Sequence, residues 1–193
     1  SDADEYVRAW AVQLLTEDRR PPAAAVEAFT RMARDDRSPV VRLYLASALQ
    51  RLDPSVRWSV AAPLMAHAGD ASDPNLPTMI WLGVEPLVPG DPALALERAS
   101  ESRIPVLARF IARRTLDADA IAPLVEAVGR DSVNRVSMLE GMRDALDGRY
   151  DVAPPPAWSR TLATLKRAGG PAAGIAEDIS RQFGDADTTT KNL

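Results

Sequence analysis

Apolar residues recur along this chain at the three-and-four spacing of an α-helix, in short blocks separated by Pro, Gly and Asp. Val7, Trp10, Ala11, Leu14 and Leu15 fall at i, i+3, i+4, i+7 and i+8, which places them on one helical face and predicts that this face is buried. Asp4 precedes the block at the N-cap position, where a carboxylate accepts from free backbone N–H groups. Pro21 and Pro22 restart the chain into a second helix through about Arg34, with Val26, Phe29 and Ala33 on one face. Ser38 then caps a third block, Pro39 takes the tolerated first helical position, and Val41, Leu45, Ala48, Leu49 and Leu52 form the stripe. Asp53-Pro54 opens a fourth with Val56, Val60 and Leu64 inward, and Pro63 is expected to kink its last turn. Asp73 or Asn75 caps a fifth, carrying Leu76, Met79, Ile80, Gly83 and Val84. Shorter helices are predicted from Asp91 or Pro92 to Ser100, Ile104 to Leu116, Asp119 to Val128 and Val133 to Leu146. Past Pro154-Pro155-Pro156 comes a helix with Trp158, Leu162 and Leu165, broken at Gly169-Gly170-Pro171, and a weaker one to about Phe183. No segment alternates as a strand would, so the fold is expected to be all-α.

The blocks share an opening: acid or Ser, two residues, an apolar residue, then Arg or Pro. It reads Asp4 to Arg8, Ser38 to Arg42, Asp73 to Pro77, Glu101 to Pro105 and Asp131 to Arg135. The starts follow one another at intervals close to the repeat lengths of helical solenoids, in which stacked helix pairs bury a continuous core.

Composition narrows the functions open to the chain. With 193 residues it is long enough to bury a core without staples, and 46% hydrophobic content is that of a globular protein. A net charge of −4 argues against a nucleic-acid partner, because phosphate binding requires a concentration of cations that survives competition with salt. The absence of Cys excludes disulfides, thiolate metal sites, a cysteine nucleophile and covalently attached haem. No apolar run approaches the ~20 residues that span a bilayer, so no membrane insertion is expected. The start Ser1-Asp2-Ala3-Asp4 is read as that of a piece of a longer protein.

The Asp-x-x-Val-Arg type opening at Asp4 to Arg8 resembles that of HEAT repeats. The resemblance implies a right-handed α-solenoid of about five HEAT-like antiparallel helix pairs over residues 1–183; residues 184–193, polar and Thr-rich, are expected to form a disordered tail or linker. It also implies an inter-repeat polar ladder to which Asp4, Arg8, Arg42, Asp131 and Arg135 contribute. The segment from His67 to Val88, with flanking Ser38 to Leu52 and Ser102 to Leu116, resembles a HEAT-like region of large planctomycete-type bacterial proteins. There the region lies between a sugar-dehydrogenase-like propeller and a c-type cytochrome module. The resemblance, which covers most of residues 4–150, departs at Pro74 and Leu82, where His and an aromatic residue are expected. It implies a cell-envelope, periplasmic-side redox parent, with neither activity in this region.

Each chemistry-bearing residue has two readings. His67, the only histidine, is either a metal ligand with Asp70 and Asp73 or a cap on the C-terminal end of its own helix. Asp70, Asp73 and Asn75 loosely resemble a calcium loop, but the turn Gly and the terminal Glu of such a loop are missing, and turn formation and capping explain them better. Glu85 follows Trp81 by one helical turn and is expected to meet Arg109, Arg113 or Arg114, which together with Asp73 form a candidate interaction or salt-bridge cluster. Trp10, Trp58, Trp81 and Trp158 occur in separate units and are expected in the core. The expected function is a non-catalytic scaffold, without cofactor, that contacts protein or neighbouring domains of the same longer chain. The alternative is a ligand- or metal-binding or enzymatic domain with a polar pocket around His67, Asp70, Asp73, Glu85 and Arg113.

Overall fold

A computed structural model describes residues 2–130, 132–149 and 152–191, with side chains to 183. Among the described residues eleven α-helices account for most of the chain and no strand occurs. The chain divides into two compact units, Ser1–Leu87 with Ser102–Leu107, and Val88–Glu101 with Ala108–Leu193, where the sequence suggested one domain.

In the first unit, α1 (Glu5–Leu15), α2 (Ala23–Asp35), α3 (Pro39–Ala48), α4 (Pro54–Met65) and α5 (Leu76–Val84) pack on the next helix but one. Thus α1 lies on α3 and α3 on α5 in one layer, while α2 lies on α4 in the other. Contacts of α3 with α2 and α4, and of α4 with α5, join the layers. The helix starts follow their local sequence. Asp4 accepts from Tyr6 N at 2.8 Å, Ser38 from Val41 N at 3.3 Å and Asp53 from Ser55 N at 2.9 Å, each side chain satisfying an amide with no partner inside its helix. Asp73 accepts from both Asn75 N and Leu76 N at 2.8 Å and so opens α5. Pro63 lies inside α4, which ends two residues later. The core between the layers is mostly aliphatic, with one aromatic ring: Phe29, Leu45, Leu49, Leu64, Met65, Leu76 and Ile80 are fully buried.

In the second unit, α6 (Pro92–Glu101), α8 (Ile121–Gly129) and α10 (Trp158–Ala168) form one such series, α6 on α8 and α8 on α10. Opposite it, α9 (Arg135–Leu146) packs on α11 (Gly170–Lys191). The helix α7 (Pro105–Asp117) approaches α9 very closely at Gly141, where a Cβ would stand 2.1 Å from the Arg109 carbonyl oxygen. At Gly169 and Gly170 both φ angles are near +70°, a conformation open to glycine, and there α10 ends and α11 begins. Trp158 is buried, meets Phe183 edge to face at 5.4 Å and donates its indole N–H to Ser180 Oγ at 2.9 Å, pinning α10 to α11.

One sequence expectation is corrected. The apolar face predicted for α1 is not buried: Ala9, Val12 and Thr16 turn inward, and Val7, Trp10, Leu14 and Leu15 are exposed. Small side chains let α1 sit close on α3, and that contact, rather than apolar bulk, decides which flank is covered. Through the segment expected as a tail, α11 runs on to Lys191; extending an established helix adds one hydrogen bond per residue fixed and avoids the cost of a new nucleus.

Candidate functional site

The polar chemistry of the first unit is concentrated where Arg8 of α1 and Arg42 of α3 each meet an Asp in the connection that leads into the next helix of their layer. Arg8 of α1 donates from Nε to Asp36 Oδ2 at 2.7 Å and from its outer nitrogen to Asp36 Oδ1 at 2.9 Å. Arg42 of α3 does the same to Asp70, at 2.6 Å on both oxygens. The backbone completes each fork: Arg8 donates to the Asp2 and Ala3 carbonyl oxygens, and Arg42 to that of Asp36 at 3.0 Å. Both pairs span 28 residues and occupy corresponding places in successive helix pairs. A planar guanidinium matches a carboxylate with two parallel hydrogen bonds, so each pair fixes distance and register together.

Electrostatics follow the geometry. The hydrogen bonds from Arg8 hold the Asp36 carboxyl below the ordinary Asp range, against the opposing effect of its burial, and Asp36 in turn raises the Arg8 guanidinium. Asp36 Oδ1 also accepts from Ser38 N at 3.0 Å, and the Ser38 hydroxyl donates to Glu5, which ties the first residue of α1 to the cap of α3. Arg42 and Asp70 are both buried. Backbone amides of Leu76 and Asn75 hold Asp73 below its ordinary value.

The α1, α3 and α5 layer also carries a groove of about 410 Å³, lined among others by Gln13, Tyr44, Ser47, Arg51, Asn75 and Met79. It combines an aromatic ring, a thioether and a cation with amide and hydroxyl groups, a mixture suited to a polypeptide surface.

The residues expected to form sites are distributed differently. Asp4 is an N-cap, and the ladder acids are Asp36 and Asp70. Asp131 lies outside the described residues, and Arg135 donates to the Arg130 carbonyl oxygen at 2.9 Å. His67 Nε2 donates to Ala33 O at 2.7 Å, so it closes the end of α2 and not of its own helix α4. With Asp70 held by Arg42, Asp73 by amides and His67 by a carbonyl, these three do not converge on a pocket. Among the described residues, no group of three or more His, Cys, Asp or Glu is arranged to hold a metal ion. Trp81 and Glu85 are half-buried in the first unit. Within the second, Arg109 meets Asp144 at 2.7 Å and Glu140 at 3.7 Å on α9, Arg113 is exposed and Arg114 half-buried. Trp10 is exposed, Trp58 and Trp81 are half-buried, and only Trp158 of the four tryptophans is in the core.

The ladder acids had a signal in the sequence. Asp stands at positions 2, 36 and 70, at equal intervals, and Arg8 and Arg42 follow the first two at the same distance. The opening pattern at Asp4 and Ser38 obscured it, because those caps recur with the same spacing. No helix among the described residues is long and apolar enough to cross a membrane. Comparison with known proteins returns no matching family model, no matching curated protein and no matching solved structure.

Proposed function

We propose that this chain is a HEAT-like helical-repeat scaffold, a right-handed α-solenoid segment whose work is to hold or dock protein and which carries no catalytic residue of its own. The observation that carries the reading is the register of the Arg8–Asp36 and Arg42–Asp70 pairs, which join successive layer helices at corresponding positions and across the same span of chain. Packing of each helix on the next but one supports it, because in a repeat stack every unit buries its apolar face against its neighbour. The surface available to a partner is the groove with Tyr44, Arg51 and Met79, since helical repeats present rows of equivalent side chains along one layer. The resemblance of residues 67–88 to a region between dehydrogenase and cytochrome modules supports a connector in a cell-envelope redox protein.

Titration calorimetry against separately expressed propeller and cytochrome modules of such a parent tests this. The expected result is saturable binding weakened at least tenfold by Tyr44→Ala with Arg51→Ala. Saturable binding of Ca²⁺ or Zn²⁺ that raises the melting temperature of the chain, with no module bound, would contradict it and favour a ligand-binding domain.

A further inference from the structure

The outer flank of α1 presents an apolar stripe that the rest of its unit does not cover. Val7, Trp10 and Leu14 are 49%, 55% and 60% exposed, with Tyr6 and Leu15 beside them. They lie on the opposite side of α1 from Ala9, Val12 and Thr16, which are buried in the layer it shares with α3. In α3, the next helix of that layer, the positions corresponding to Val7, Ala11 and Leu14 are Val41, Leu45 and Ala48, and all three are buried. The same backbone register is thus covered in one helix and open in the other.

Charge repeats the pattern. Asp2 corresponds to Asp36 and Asp70, and its surroundings match those of Asp36. Its Oδ1 accepts from Asp4 N at 2.9 Å as Asp36 Oδ1 accepts from Ser38 N, and its carbonyl accepts from Arg8 as that of Asp36 does from Arg42. Asp36 and Asp70 each receive a two-pronged Arg from the preceding helix of the layer, whereas the Asp2 side chain is exposed. Next to it, a wide depression of about 660 Å³ is lined by Asp2, Arg8, Arg31, Met32, Asp35 and Arg37, with Ala28 and Asp36. Ala28, Met32 and Asp35 are on the opposite flank of α2 from Thr30, whose hydroxyl reaches Ser59 of α4.

We infer that the open flank of α1 and α2 is a docking surface for a further two-helix unit of the kind formed by residues 1–34, whose layer helix covers Val7, Leu14 and Leu15 and gives Asp2 an arginine in the register of Arg8. The inference rests on the repeat reading proposed above. The occupant is specified by two independent features, an apolar helix face for the stripe and a guanidinium for Asp2. An acidic or purely polar surface satisfies neither.

The test keeps the whole chain and adds a second copy of residues 1–34 ahead of it, which sets the added Arg8 as far before the original Asp2 as Arg8 stands before Asp36. Hydrogen exchange of the original α1 amides is compared with that in the unextended chain. The expected result is exchange at least tenfold slower, with the protection reduced by Asp2→Asn and abolished by Leu14→Glu in the original α1. An added segment that stays unfolded, or folds by circular dichroism while α1 exchanges at its former rate, overturns the inference. So does concentration-dependent self-association of the unextended chain that Leu14→Glu abolishes, because a second copy would then be the occupant. Measured coupling between Arg42 and Asp70 in the same extended chain separates the two levels: coupling retained with α1 unprotected leaves the repeat reading standing, and coupling absent removes both.

Discussion

At the level of single residues, the first unit depends on carboxylates with both oxygens hydrogen-bonded. Asp36 takes two hydrogen bonds from Arg8 and one from Ser38 N, and these favour its charged form. Because the folded value is depressed, its contribution to stability is complete above the unfolded value near ~4 and disappears as pH falls through the folded one. The stability difference between the parent chain and Asp36→Asn is therefore expected to be constant above about pH 5 and to shrink below about pH 4. Urea titrations at a series of pH values check this, and a difference unchanged to pH ~2 would contradict it. The ladder arginines were legible in the sequence, because Arg8 and Arg42 end the repeated opening. The acids were harder to single out: their equal spacing at 2, 36 and 70 is shared by the caps Asp4 and Ser38, and only the path of the connection brings Asp36 under Arg8.

Among the helices, spacing revealed the elements but not always their buried side. The apolar blocks in α3 and α5 predict the buried Leu45, Leu49, Leu76 and Ile80. The same criterion fails in α1, whose larger apolar residues are outside and whose inward face is Ala9, Val12 and Thr16. Hydrophobic periodicity ranks faces by bulk, whereas a close helix contact selects small side chains. Gly141 is the extreme case, with the Arg109 carbonyl where a Cβ would be. Gly141→Ala has to push α9 away from α7 and is expected to cost about 1–3 kcal/mol, read from the urea midpoint. A neutral substitution would mean that the two helices do not approach in this way. The extension of α11 to Lys191 was hidden for another reason, since its polar composition reads as a tail while helix propagation needs only backbone hydrogen bonds.

Above the single helix, the repeat reading of the molecule rests on the first unit, where the Arg8–Asp36 and Arg42–Asp70 pairs recur with the same span along one layer. A double-mutant cycle on Arg42 and Asp70 addresses it most directly, because both groups are buried and each is the other's principal partner. Removing either alone leaves a buried charge and is expected to cost about 3–5 kcal/mol. Removing both leaves none, so the double variant should cost little more than one single change, a coupling of about 3 kcal/mol. Single-variant losses that simply add, to within about 0.5 kcal/mol, would show that the pair does not join the layer.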